Sequence, residues 1–329
     1  MNFAPKSLIG ACLVWDNHAC MPLRPHDESF LPRLQMYRDA GVNVVSLNVG
    51  FGEQGIEEHV RMLAQFRRWL SMHGNDYILV RAVADIDRAH AEGKLAIVFD
   101  IEGANAIADQ ISMIQLYYEL GVRWMSMAYN LHNRVGGGCQ QEGDPGLTEF
   151  GRLVLDEMGR VGMVACCSHT GYRTAMDVLE YSDRPVIFSH SNAFAVHPHP
   201  RNIGDDLIRA CARNGGLIGV NGIGIFVSSQ GDAAEGLARH IDHIVSLAGI
   251  EHVALGLDYV VDHSELDELT SANPAIFPPE LGYGKDMQMI EPGSLVRIIE
   301  ALCRMGYADA DLCAVLGGNL MRIARTVWK

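Results

Sequence analysis

The chain has 329 residues, 48% of them hydrophobic and 20% charged, which is enough apolar material for a large core. Its 26 Lys+Arg against 40 Asp+Glu give a formal charge of −14, which repels phosphate backbones and anionic lipid and sets nucleic acid and membrane aside as partners. Eight cysteines over this length are too sparse for a disulfide scaffold, so reduced thiols in the cytoplasm are expected. No apolar run reaches the roughly 18–20 residues of a membrane helix, and the short run 8–15 after Lys6 lacks the cleavage pattern of a leader.

Short β-branched apolar runs alternate with stretches whose apolar positions lie three and four apart, the marks of buried parallel strands and their covering helices. In chain order the predicted strands are 7–14, 42–47, 95–100, 122–128, 162–167, 185–188, 217–220 and 252–257. Helical patterns occupy 30–40, 56–73, 79–91, 106–120, 148–160, 175–181, 205–214, 233–247, 294–305 and 309–325. Gly41, Gly121, Gly162 and Gly249 follow helix ends, where a left-handed cap favours glycine. Eight strand–helix units fit an α/β fold of the (β/α)8 TIM-barrel type. Without linker or repeat, residues 1–329 are expected to form one barrel domain, with long loops at 130–146 and 260–292.

Potential metal ligands recur at the carboxyl ends of these strands. His18 and Cys20 follow the first, Glu102 the third, His169 the fifth, His190 the sixth and Asp258 the eighth. In a barrel these ends share one rim, where active sites of this architecture lie. Imidazole, thiolate and carboxylate all bind Zn²⁺, and a carboxylate can bridge, so His18, Cys20, Glu102, His169 and His190 suffice for two adjacent sites sharing Glu102. A metal pair about 3.5–4 Å apart activates water and polarises a carbonyl, which is the chemistry of hydrolysis. Taken singly, Cys20 reads more often as a small buried hydrophobe than as a ligand, and its place two residues after His18 tips it to ligation; Glu102 and Asp258 read alternatively as ion-pair partners on a rim.

The runs Asp16-Asn17-His18, Asp100-Ile101-Glu102-Gly103, Ser168-His169, Ser189-His190-Ser191-Asn192, His199-Pro200-Arg201-Asn202, Gly256-Leu257-Asp258 and Gly317-Gly318-Asn319 occur in this order. In them the chain resembles the membrane dipeptidase family, the renal dipeptidase-like metallopeptidases of the metal-dependent hydrolase superfamily. The resemblance implies a (β/α)8 barrel that hydrolyses dipeptides at a zinc centre. It makes His18 a ligand of the first ion, Glu102 the bridge, and His169 and His190 ligands of the second. It makes Asp258 the acid/base, and Arg201 a holder of the substrate carboxylate. Two positions depart from the family pattern: His18-Ala19-Cys20 stands for His-x-Asp, and Tyr129 for a substrate-contacting histidine.

The expectation is a cytoplasmic zinc-dependent dipeptidase acting on dipeptides or closely related small amides, and homodimeric as the resemblance implies. Its catalytic residues are Asp258 and Glu102, its substrate contacts Arg201 and Tyr129, and its metal ligands His18, Cys20, Glu102, His169 and His190. Two Zn²⁺ ions are expected, with one the alternative, since a softer thiolate retunes the first site. The rival readings are a single-metal amidohydrolase of a non-dipeptide amide and a catalytically silent metabolite-binding homologue.

Overall fold

The computed structural model describes residues 4–228 and 231–329. Its strands are β1 (Trp15–Cys20), β2 (Val44–Phe51), β3 (Tyr77–Leu79), β4 (Leu95–Glu102), β5 (Val122–Ser126), β6 (Val164–Cys166), β7 (Ile187–Phe188), β8 (Leu217–Val220), β9 (Val253–Leu255) and β10 (Tyr259–Val260). The parallel order β1-β2-β4-β5-β6-β7-β8-β9 returns to β1 where Asp16 pairs with Leu255, closing an eight-stranded barrel. β3 lies beside the first half of β4, and β10 runs beside the end of β1. Helices surround this ring, giving the (β/α)8 architecture.

Alternation along each strand sorts the side chains between two layers. On β4, Ala96 and Val98 point inward, where they meet Val44, Trp124, Ile187 and Leu217, while Leu95, Ile97 and Phe99 pack against the helices. The helix Asn319–Val327 plugs the amino-terminal end of the barrel with Leu320, Ile323 and Val327. The covering helices begin and end on local signals. Thr148 caps Glu149–Val161 by accepting the Gly151 N–H at 3.0 Å, and Gly162 closes it at φ +92°, a conformation that favours glycine.

Three expectations need correction. The first strand is Trp15–Cys20 and not 7–14, because Pro5 sits in the first turn of a helix, Pro5–Ala11, which buries Leu8 and Ile9. His18 and Cys20 therefore lie within the strand and do not follow it. The stretch 260–292 is not wholly loop: it contains the helix His263–Ala272, capped by Asp262. Finally, the thiols are not all reduced, since Cys12 and Cys313 form a disulfide with Cα atoms 5.2 Å apart. Among the described residues no helix is long and apolar enough to cross a membrane.

Candidate metal centre

The carboxyl-terminal rim of the barrel gathers the residues singled out in the sequence. His18 Nε2 lies 3.4 Å from Glu102 Oε2 and 3.4 Å from Asp258 Oδ1. Cys20 Sγ is 3.6 Å from His18 Nε2 and 3.7 Å from Asp258 Oδ1. On the other side of the same carboxylate, Glu102 Oε1 is 3.0 Å from His169 Nε2 and 3.1 Å from His190 Nε2. Those two ring nitrogens face each other at 2.9 Å. Two donor groups thus adjoin, one of His18, Cys20 and Asp258, the other reaching from His18 through Glu102 to His190. Glu102 Oε1 is buried and accepts no hydrogen bond in spite of its close nitrogens. Imidazole, thiol and carboxylate atoms converge on a common space, and that set of donor atoms fits a bound cation.

Local backbone features put these side chains there. Trp15 faces the barrel interior but Ala19 faces the helices, a change of side produced by the register shift between Asp16 and Ala19 that turns His18 inward. The peptide before His190 sits deep because a Cβ on Gly219 or Gly256 would come within 2.1 Å of the Ser189 carbonyl oxygen. Asn130, His169 and Asp258 all take positive φ, an unfavourable conformation for residues with side chains that is concentrated at this cluster. Asp258 is held there by its N–H to the His18 carbonyl, at 3.0 Å.

Each of the three histidines has a partner on its other nitrogen. His18 Nδ1 lies 3.2 Å from Asp100 Oδ1, His169 Nδ1 donates to Asn130 Oδ1 at 2.7 Å, and His190 Nδ1 is 2.8 Å from Ser189 Oγ. Nε2 is thereby aimed at the centre in every case. Asn48 Nδ2 donates to both Asp100 Oδ1 and Glu102 Oε2, at 3.1 and 3.3 Å. The sequence reading missed Asp100, Asn130, Ser189 and Asn48. A signal existed for Asp100, which stands one strand period before Glu102 and so shares its face.

The electrostatics follow from burial and crowding. Burial works against the Glu102 carboxylate, yet the imidazoles of His18 and His169 hold its pKa well below the usual range. Burial opposes a charge on His18, but the Asp100 and Glu102 carboxylates raise it well above an ordinary histidine. Burial and the Arg201 guanidinium keep His169 far below its ordinary value, and burial and His18 lower His190. Burial pushes the Cys20 thiol up to about 12, so thiolate forms there when a cation displaces the proton.

Arg201 and Tyr129 stand beside the cluster. Arg201 is buried; its Nη2 donates to His169 Nε2 at 3.0 Å and its Nε has no hydrogen-bond partner. The Tyr129 ring stacks on His169 with centroids 4.2 Å apart, and burial keeps its phenol protonated. Both line a cavity whose base is formed by Cys20, Glu102, His169 and Asp258.

A family model described as membrane dipeptidase, peptidase family M19, matches residues 32–273. The chain belongs to the membrane dipeptidase family. The matched residues begin after His18 and Cys20, which the geometry of the rim brings to Glu102 and Asp258. The chain is 35% identical over 204 residues, 59% of its length, to an uncharacterized dipeptidase of Schizosaccharomyces pombe. It is 30% identical over 260 residues, 76% of its length, to dipeptidase aclJ of Aspergillus oryzae. It spans about half the length of these relatives, 48% and 57% respectively. A solved amidohydrolase of Pseudomonas aeruginosa superposes with a TM-score of 0.87 over 99% of both chains, at 26% identity.

Proposed function

We propose that this chain is a metal-dependent dipeptidase that hydrolyses dipeptides or closely related small amides. The observation that carries the reading is Glu102, whose two oxygens serve two adjoining donor groups at the base of a cavity that also holds Arg201, a buried guanidinium whose Nε has no hydrogen-bond partner. His18 and Cys20 would hold zinc at one end, His169 and His190 at the other, with Glu102 between and Asp258 beside them as the acid/base. Bound zinc supplies Lewis-acid activation of the scissile carbonyl and of water.

The remaining work falls to this chain's own groups. Arg201 binds the substrate carboxylate, which supplies the anion that a buried guanidinium lacks. Asp258 Oδ2 accepts from Asn221 Nδ2 at 2.9 Å, which fixes the carboxylate with Oδ1 toward the centre. There Asp258 takes the proton of the attacking water as the C–O bond forms and delivers it to the amide nitrogen as the C–N bond breaks. Tyr129 presents a protonated phenol at the cavity wall and positions the substrate.

A second reading, a single-metal amidohydrolase, draws on Cys20, whose proton is hard to remove. Metal analysis combined with a dipeptide panel, including D-configured second residues, tests both. The first reading expects two zinc ions per chain, dipeptide cleavage, and turnover lowered about 10²–10⁴-fold in Asp258→Asn with metal content kept. Full activity in Asp258→Asn overturns that residue's assignment, and a panel without a cleaved member overturns the dipeptidase. One ion per chain, rising to two in Cys20→Asp, favours the second reading. As for location, the cytoplasmic placement carries less weight beside the Cys12–Cys313 disulfide, which a reducing compartment does not sustain.

A further inference from the structure

We propose, resting on the dipeptidase reading, that the preferred substrates carry a bulky apolar side chain on their first residue, seated in an apolar chamber at the Cys20 end of the centre. The centre has a direction. Arg201 lies at the His169 end, 3.0 Å from His169 Nε2, whereas Cys20 Sγ lies at the His18 end, 3.6 Å from His18 Nε2. A substrate carboxylate held on Arg201 therefore sends the acyl half of a dipeptide past Glu102 toward Cys20.

The cavity is walled by Met21, Leu23, Val260, Leu266 and Leu269, of which Met21 and Leu23 follow Cys20 in the chain and Val260 pairs with it. Leu266 and Leu269 are half-buried on the helix His263–Ala272 and line the same cavity, Leu269 packed against the cluster of Phe226, Phe277 and Tyr283. The polar groups nearby are already engaged. Asp262 and Glu265 share the Arg24 guanidinium, at 3.1 and 2.5 Å, and Glu265 Oε1 also accepts the Leu23 N–H at 3.4 Å. Thr270 Oγ1 donates to the Asp267 carbonyl at 3.3 Å. Across the cavity Phe277 and Tyr283, with centroids 5.5 Å apart, continue the apolar surface, and the Tyr283 hydroxyl accepts from Gln140 Nε2 at 2.6 Å. An anionic side chain placed here gives up its water and faces the carboxylates of Asp262 and Glu265. An aliphatic one gains roughly fourfold per buried methylene.

The wall is a built part of the fold. Arg24 ties the start of the helix to the loop after β1, and the Gly224 N–H donates to the Gln288 carbonyl at 2.7 Å where the segment returns to the barrel. It thus has the rigidity that discrimination between side chains requires.

Two matched sets of dipeptides on the zinc-loaded enzyme test the inference: X-Ala and Ala-X, with X as Gly, Leu, Phe and Asp. The expected result is a kcat/KM for Leu-Ala and Phe-Ala about tenfold or more above Gly-Ala and Asp-Ala, with a smaller spread in the Ala-X set. Equal rates across X-Ala, or a spread confined to Ala-X, overturn it while leaving dipeptide hydrolysis standing. Leu266→Ser and Leu269→Ser are expected to lower the Leu-Ala to Gly-Ala ratio at least tenfold, and an unchanged ratio counts against the proposal. Phosphinate mimics of Leu-Ala, Gly-Ala and Asp-Ala, bound to the unsubstituted holoenzyme and followed by calorimetry, ask the same question without turnover. Should no dipeptide be cleaved, tenfold tighter binding of the Leu mimic still supports the chamber and equal binding overturns it.

Discussion

His18, His169 and His190 are aimed by three different neighbours, a carboxylate, an amide and a hydroxyl. The amide is the easiest to isolate, because Asn130 contacts the centre only through His169. In Asn130→Ala the His169 Nδ1–H loses its acceptor and the ring loses the bond that fixes its tautomer and plane. The expected result is zinc binding weakened about 10–100-fold, read by chelator competition at constant pH, with the fold retained. Unchanged affinity would show that stacking on Tyr129 alone orients the ring. At this scale the sequence made the metal-seeking donors legible, since imidazole, thiol and carboxylate at strand ends have a chemistry of their own. Asp100, Asn130 and Ser189 escaped because their part depends on which ring nitrogen faces inward, and no spacing in the chain encodes that.

Among the elements, β4 was legible because parallel strands covered on both faces read as apolar runs, and all of Leu95–Glu102 is buried. β1 was not, because Trp-Asp-Asn-His-Ala-Cys spends its inward positions on the site and so lacks an apolar signature. The helix His263–Ala272 was hidden for a related reason: Thr270 is its one fully buried residue, and its leucines face the cavity. The disulfide joins the residue after the helix Pro5–Ala11 to the last residue of Asp309–Cys313, elements 301 residues apart that the barrel brings side by side. Closing so long a loop restrains the unfolded chain strongly, by up to about 5 kcal/mol on the chain-entropy account. Reduction by thiol, or Cys12→Ser, is therefore expected to lower the Tm by at least about 5 °C in calorimetry. A Tm equal in oxidised and reduced protein would show that the packing of Leu8 and Ile9 alone holds this end.

For the whole molecule, counting strands anticipates a ring that closes on itself, whereas the pH response depends on burial that only the folded chain reveals. His199 and His240 sit outside the cluster as neutral rings. Nδ1 of His199 accepts the Arg201 N–H at 3.1 Å and its Nε2 donates to the Leu281 carbonyl at 3.0 Å. His240 repeats the pattern, with the Ala193 N–H at 3.2 Å and the Val227 carbonyl at 2.9 Å. Burial lowers both from 6.5 to about 4, and on His240 the neighbouring His197, Arg239 and His243 push the same way. The unfolded chain takes up these protons near pH 6.5 and the folded chain only near 4, so their contribution is whole above 6.5 and drains away as pH falls toward 4. Asp16 and Asp100, raised by burial to about 7 and about 6, act in the opposite sense, since the folded chain keeps protons that the unfolded chain releases above 3.8. A comparison of variants removes that background. Gln at position 240 can accept and donate without titrating, so His240→Gln is expected to lose less stability than the parent between pH 6.5 and 4. The gap between the two urea-unfolding curves should widen by up to about 3 kcal/mol at the acid end. Parallel curves across that window would mean that His240 takes up its proton in the folded chain as readily as in the unfolded one.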